Sequence, residues 1–147
     1  MTNYIYVDRP SDLQEYTSPE ELAQFLHSSL IPFDDPIEQI MDGLDYAFSN
    51  AEGKGGFVIL ARQEGSTVGA LVMLKTGMSG YVPPNILLYI AVKPQCRGQG
   101  IGGNLIRKAF EKTEGDIKLH VEYDNPAKRL YERMGFESKY AEMRYSR

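Results

Sequence analysis

The stretch with the clearest chemical potential is VKPQCRGQGIGG, residues 92–103, which lies between an apolar run and an apparent helix. Four of its last six positions are glycine. A helix N-terminus presents unpaired backbone N–H groups and the positive end of the helix dipole, and both attract phosphate. Glycine lets a ligand touch the backbone without meeting a Cβ, and Arg97 adds a permanent cation suited to phosphate. We therefore predict a phosphate-binding loop rather than a plain turn.

One candidate for the phosphate ligand is a dinucleotide. Gly98, Gly100 and Gly103 satisfy G-x-G-x-x-G, and Glu122 follows after the next apparent strand. In that fingerprint the glycines follow the strand immediately, whereas residues 93–97 intervene here. The chain beyond the motif is also too short for the further strand–helix units of a doubly wound fold. A dinucleotide-binding oxidoreductase is therefore the less favoured alternative.

The same stretch resembles the acetyl-CoA loop of the GNAT-type N-acetyltransferase superfamily, whose signature is Q/R-x-x-G-x-G/A. Arg97, Gly100 and Gly102 fit this pattern, and a second frame begins at Gln95. Downstream, DNPAKRLYERMGFE resembles the second signature of that superfamily, a helix with Ala, then Leu-Tyr-Glu, closing in Gly-Phe. The resemblance covers roughly residues 56–145.

The resemblance implies a mixed α/β fold in a single domain, residues 1–147, with a largely antiparallel, splayed central sheet flanked by helices. It implies that a strand at Ile90–Val92 pairs with the pantetheine arm of acetyl-CoA, and that the N–H of Ala91 or Val92 polarises the acetyl carbonyl. The glycine-rich loop would hold the pyrophosphate. The implied cofactor-binding residues are Ile90, Ala91, Val92, Arg97, Gly98, Gln99, Gly100, Ile101, Gly102, Gly103, Asn125 and Tyr131.

The catalytic residues implied by the resemblance are fewer. Tyr131 matches the tyrosine that lies near the CoA sulfur and can protonate the leaving thiolate. Some members place a glutamate in the strand before the loop as general base, but residues 85–92 contain no acid. Glu122 is our candidate base, with His120 on the same strand face as a second choice. Asn125 lies one residue closer to Tyr131 than the corresponding asparagine of the family, which weakens its assignment as a cofactor contact.

The elements that must position these residues can be predicted from local patterns. Ser18, Pro19 and Glu21 form a capping-box start for one helix, and Asp35, Pro36 and Glu38 repeat the signal for a second. These helices, at about 18–50, are expected on the acceptor side. The later pattern is a hairpin, a strand at 85–92, a helix at 101–112, a strand at 117–122, a helix from Asn125 to Gly135, and one or two closing strands within 136–146.

Composition excludes several function classes. The net charge is −4 and the pI about 5.2, which argues against a nucleic-acid or anionic-membrane partner. A single cysteine, Cys96, provides neither an intrachain disulfide nor a cysteine metal cluster; we expect no metal. The N-terminus lacks a secretory-signal pattern and no run reaches membrane length, so we expect a cytoplasmic protein. We interpret the four acids Asp34, Asp35, Glu38 and Asp42 as helix caps and solvated surface rather than an amine-binding patch.

These observations converge on an acyl-CoA-dependent N-acyltransferase. We expect it to transfer acetyl from acetyl-CoA to a primary amine, on a small molecule or a peptide, by direct attack. A catalytically weak acyl-CoA-binding module is the alternative that keeps the same site. The absence of an acidic residue from the strand at 85–92 favours this alternative. The sequence leaves a homodimer open.

Overall fold

The computed structural model describes residues 1–147 and contains one five-stranded sheet in the order β1-β2-β3-β4-β5. The first four strands are antiparallel to their neighbours, and β5 runs parallel to β4. The strands are β1 Asn3–Val7, β2 Gly56–Gln63, β3 Ser66–Lys75, β4 Asn85–Val92 and β5 Ile117–Lys118. The helices are α1 Pro10–Leu13, α2 Pro19–Leu30, α3 Ile37–Ala47, α4 Ile101–Glu111 and α5 Ala127–Arg133. The predicted mixed α/β class is confirmed. The sheet contains one parallel βαβ unit, β4-α4-β5, whereas a doubly wound dinucleotide fold requires several.

Each face of the sheet buries its own apolar core. On one face α2 and α3 supply Leu22, Leu26, Ile40 and Leu44, which pack with strand residues such as Val72. On the other face, α4 contributes Ile101, Leu105, Ile106 and Ala109. Phe110 of the same helix is 38% exposed, and its ring lies 6.0 Å from that of Phe136 between centroids. The sheet therefore separates an α2/α3 face from an α4/α5 face.

Two local predictions are confirmed in atomic detail. The Ser18 hydroxyl accepts from the Glu21 N–H at 3.1 Å, and the Glu21 carboxylate accepts from the Ser18 N–H at 3.2 Å, which completes the capping box of α2. The β2–β3 hairpin turns at Glu64 and Gly65, whose φ angles of 49° and 78° are the positive values that a two-residue turn demands.

The predicted start of α3 is wrong in one respect. Its N-cap position is Pro36, and no side chain caps the helix. The Asp35 carboxylate instead accepts a hydrogen bond from the Tyr89 hydroxyl at 2.9 Å. A buried phenol needs an acceptor, and this tertiary partner has replaced the local capping bond.

The predictions for the C-terminal third are partly wrong. Only residues 117–118 of the predicted strand at 117–122 pair with a neighbour, although Ile117, Leu119 and Val121 all pack on the α4/α5 face. Residues 137–147 form no strand and are exposed. A strand needs a partner for its backbone groups, and the two paired residues of β5 offer no ladder to extend.

A β-bulge in β4 explains where the sheet opens. Tyr89 lies opposite Val72 and Leu87 opposite Met73, so Leu88 is an extra residue in β4. Pairing with β5 stops just before it, at Ile86. A bulge bends its strand and commonly ends pairing. Beyond Ile86, β4 therefore has a free edge on the β5 side, and the predicted splay is confirmed.

Glycine in β3 sets the position of α4 on the sheet. A Cβ on Gly69 would lie 3.1 Å from Cγ2 of Ile101 and 3.2 Å from Cδ1 of Leu105. Any larger residue would push away the first turns of α4, because these distances leave no room for relaxed packing. Gly69 thus fixes where the N-terminus of α4 meets the end of β4.

Candidate active site

The glycine loop ends β4 and opens α4 with a row of free backbone donors. Gly98 and Gly100 have φ angles of 86° and 79°, and Gly100 is the left-handed N-cap of α4. A Cβ built on either glycine would meet no protein atom within 4 Å. None of the N–H groups of residues 98–103 donates to a protein acceptor; the first helical bond runs from the Asn104 N–H to the Gly100 oxygen. This arrangement can bind an anion with several phosphate oxygens.

Arg97 is bound to the protein rather than free over the loop. Its Nε donates to the Val92 carbonyl at 3.2 Å, and its Nη2 donates to the Ser29 carbonyl at 2.7 Å. We expected the guanidinium near phosphates. The structure places it across the end of β4 and the last turn of α2, where it orients the loop and keeps its other N–H donors available.

The remaining loop residues contact other parts of the protein, although Gln99 is exposed. Ile101 is buried. A Cβ on Gly102 would lie 3.0 Å from Cδ2 of Leu130 in α5, so this glycine permits the close approach of α4 and α5. Gln99 accepts a hydrogen bond from the Gln63 amide at 3.0 Å, and Gly103 lies beside Arg107. Gly98 and Gly100 are therefore the two positions where the loop is open to a ligand.

The free edge of β4 begins beside this loop. The Lys93 N–H donates to Val68 in β3 at 2.8 Å. N–H groups alternate sides along a strand, so the Ala91 N–H faces β3, whereas those of Ile90 and Val92 face the free edge. Of the two candidates for polarising a carbonyl, the geometry favours Val92.

A cleft of about 1840 Å³ occupies the splay between β4 and residues 116–125. Pockets for one small ligand are usually about 300–1,000 Å³, so this cleft has room for two reactants. It is open to both faces of the sheet: the α2–α3 loop lines it on one side, and α5 with the residues after it lines the other. Eight carboxylates line it, against four Lys or Arg side chains.

Tyr131 presents a polar tip to this cleft from a buried ring. The residue is 8% exposed, and its ring meets Phe136 edge-on at 6.0 Å between centroids. The Tyr131 hydroxyl has no hydrogen-bond partner in the protein. Because every fully buried side-chain polar atom in the structure has such a partner, this oxygen is not fully buried and is accessible from the cleft that Tyr131 lines. Burial raises the pKa of the Tyr131 phenol to about 12. The phenol is consequently protonated at neutral pH and can donate.

Glu122 and His120 line the same cleft from the segment after β5. Both are exposed, and neither side chain is hydrogen-bonded to the protein. Asn125, also in the lining, accepts the Ala127 N–H through its side-chain oxygen at 2.9 Å, just before α5 and its N-cap position Pro126. Only its amide NH₂ is left for a ligand.

Sequence reasoning missed one pair at this site, Asp35 and Tyr89. Both line the cleft, and their 2.9 Å hydrogen bond joins residues 54 positions apart. Burial is the main cause that raises the pKa of Tyr89, followed by its bond to Asp35 and the negative charges of Asp35 and Asp42. The His27 Nδ1 lies 3.0 Å from the Asp35 carbonyl oxygen and 3.3 Å from the Asp34 carboxylate, which holds this loop to α2. No local sequence pattern predicts a contact between residues so far apart in the chain.

The structure contains no group of three or more His, Cys, Asp or Glu side chains that could hold a metal ion. None of its helices combines the length and apolar character needed to cross a membrane.

The fold is that of a known family of acetyltransferases. The family model described as acetyltransferase (GNAT) domain matches residues 54–138, and the chain belongs to this family. A search of curated proteins finds no match.

Solved structures agree on the fold. A Pyrococcus furiosus protein described as an acetyl transferase is 26% identical, with 98% of this chain and 99% of that chain covered and a TM-score of 0.63. An aminoglycoside N-acetyltransferase solved in complex with CoA is 16% identical over 100% and 96% of the chains, with a TM-score of 0.68. A GNAT family acetyltransferase from Streptococcus pneumoniae TIGR4 is 18% identical over 100% and 99%, also with a TM-score of 0.68.

Proposed function

We propose that this protein is an acetyl-CoA-dependent N-acetyltransferase that transfers the acetyl group directly to a primary amine. The observation that carries the proposal is the row of unpaired N–H donors at residues 98–103, which follows the strand β4 with its free edge. Together they match the two parts of CoA, an anionic pyrophosphate and an extended amide-bearing arm. The similarity to a fold that has been solved with CoA supports the same ligand.

In this proposal the loop and β4 bind and orient the thioester. The N–H groups at 98–103 donate hydrogen bonds to the pyrophosphate oxygens, and Gly98 and Gly100 leave room for the pyrophosphate. Ile90, Ala91 and Val92 align the pantetheine arm, with the Val92 N–H directed at the acetyl oxygen. A fixed donor at that oxygen stabilises the charge that develops during attack.

Proton movements are assigned to the cleft residues. The amine nitrogen attacks the acetyl carbon, the carbon–sulfur bond breaks, and the Tyr131 hydroxyl protonates the sulfur. The proton that the amine nitrogen loses passes to Glu122 or to water. The solvent then returns a proton to the Tyr131 phenolate. The amine enters from the α2/α3 face, so the region around 18–50 is the acceptor side and residues 56–145 form the cofactor-binding core.

Two measurements test the proposal. Acetyl-CoA should raise the melting temperature and NADH should not, because a ligand at about 100 times its Kd stabilises by about 2.7 kcal/mol. A panel of primary amines with acetyl-CoA should release free thiol. A shift with acetyl-CoA but no thiol release on any amine would support the weak binding module instead, and a shift with NADH alone would overturn the assignment.

A further inference from the structure

The Asp35–Tyr89 pair is placed by the bulge in β4. Because Leu88 is an extra residue, Leu88 and Tyr89 both point to the α2/α3 face, while Leu87 and Ile90 point to the α4/α5 face. Without the bulge, Tyr89 would share a face with Leu87. The bulge therefore directs the Tyr89 hydroxyl toward the α2–α3 loop and into the acceptor side of the cleft.

Asp35 is held there from two directions. Its carboxylate accepts the Tyr89 hydroxyl at 2.9 Å, and its carbonyl oxygen is 3.0 Å from the His27 ring. The carboxylate has a second oxygen with no protein donor, and the residue is half-buried at the cleft wall. A fixed carboxylate with one free oxygen is suited to bind an ammonium group in a charge-assisted hydrogen bond.

Asp35 lies apart from the place where the reacting nitrogen is expected. The acetyl carbon is expected at the backbone edge of Ile90–Val92, whereas Asp35 is bound to the far end of the Tyr89 side chain. A group on Asp35 therefore lies about one tyrosine side chain away from the reaction. It must belong to another part of the acceptor.

We propose that Asp35, positioned by Tyr89, binds a second cationic group of the acceptor, so that the substrate is a primary amine that also carries a separate positive charge. This inference rests on the proposed function, since it takes β4 to hold the acetyl group. Asp35 acts here in specificity and takes no part in proton transfer to the thiolate.

The test compares two amines of matched length, 1,5-diaminopentane and pentylamine, by calorimetric titration into the protein saturated with CoA. The parent should bind the diamine about tenfold more tightly, the worth of one charge-assisted bond. Asp35→Asn keeps the shape and should reduce the preference to about twofold or less. Tyr89→Phe should reduce it in part, because the carboxylate loses its positioning bond. Asp45→Asn, the same charge change on the exposed side of α3 and outside the cleft, should leave it unchanged.

Equal binding of the two amines by the parent protein would overturn the inference, and so would an unchanged preference in Asp35→Asn. Acetylation assays on the same pair separate it from the proposed function. A diamine preference that depends on Asp35 with no acetyl transfer would keep the cation-binding role of Asp35 and reject the proposed enzyme. Acetyl transfer to both amines at equal kcat/KM would support the proposed enzyme and reject the role of Asp35 in choosing the acceptor.

Discussion

Nη2 of Arg97 donates a 2.7 Å hydrogen bond to the carbonyl oxygen of Ser29, 68 positions earlier in the last turn of α2. Nε of the same guanidinium donates to Val92 at 3.2 Å. The final carbonyls of a helix lack intrahelical partners, and a cation there also interacts favourably with the helix dipole. A single side chain thus links α2, the end of β4 and the glycine loop.

Arg97→Lys should therefore lower the free energy of unfolding as well as acetyl-CoA affinity. A lysine cannot reach two carbonyls with a planar fork, so we expect a loss of about 1–2 kcal/mol in denaturant unfolding. Arg107→Lys is the control: Arg107 bonds only Asn104 of its own helix, and its replacement should cost about 0.5 kcal/mol or less. Equal stability of the two variants would contradict the structural role of Arg97.

Gly100→Val should abolish acetyl-CoA binding while the protein stays folded. The new side chain meets no protein atom, so it would fill the space that we assign to phosphate oxygens. The positive φ of 79° adds a strain of about 1–2 kcal/mol. Gly53→Val is the matched control, because Gly53 has a φ of 78° and equally open surroundings, away from the site. The two variants should melt alike, and only the control should still respond to acetyl-CoA.

Tyr131→Phe should retain the ring packing and acetyl-CoA affinity but lose turnover. General-acid assistance is worth about 10²–10⁴-fold, and we expect at least a tenfold fall in kcat because water can protonate part of the thiolate. Tyr123→Phe is the control, since Tyr123 lines the same cleft with 84% exposure. Near-parental kcat in Tyr131→Phe would mean that the ring serves only to pack α5 against the sheet.

Tyr131 should also make stability fall at high pH. The pKa of Tyr131 is raised to about 12 in the folded protein from an unfolded value of 10.0. The contribution of this group to the free energy of unfolding is therefore complete below pH 10 and is lost as the pH rises toward 12. The unfolded state releases the proton first, which costs about 1 kcal/mol of stability between pH 10 and pH 11. Urea unfolding at pH 8.5 and 11 should show a smaller loss in Tyr131→Phe than in the parent. An identical loss in both proteins would rule out this contribution.

Features fixed by short stretches of chain were predictable from the sequence. The capping box of Ser18 and Glu21 and the positive φ at Gly65 depend on residues a few positions apart, so the local pattern determines them. The open glycine loop follows from the same kind of information.

Features that depend on distant partners were not predictable in this way. Asp35 has the sequence context of a helix cap, but the buried Tyr89 hydroxyl competes for it more effectively. The apolar run at 85–92 carries no mark of the bulge at Leu88, which appears only when the strand is aligned with β3. Gly43 is similar: a Cβ there would lie 2.6 Å from Cδ2 of Leu88, a constraint visible only in the packed structure.

The early end of pairing between β4 and β5 has a consequence for how the protein behaves in a crowded solution. Between Leu87 and Val92 an apolar strand leaves main-chain groups unpaired on one side, among them the N–H groups of Ile90 and Val92, and such an edge is a template on which another chain can add a strand. An acyl-CoA molecule seated along that edge would occupy the template. The supply of this substrate would then control self-association as well as turnover, and preparations depleted of it should be the first to aggregate.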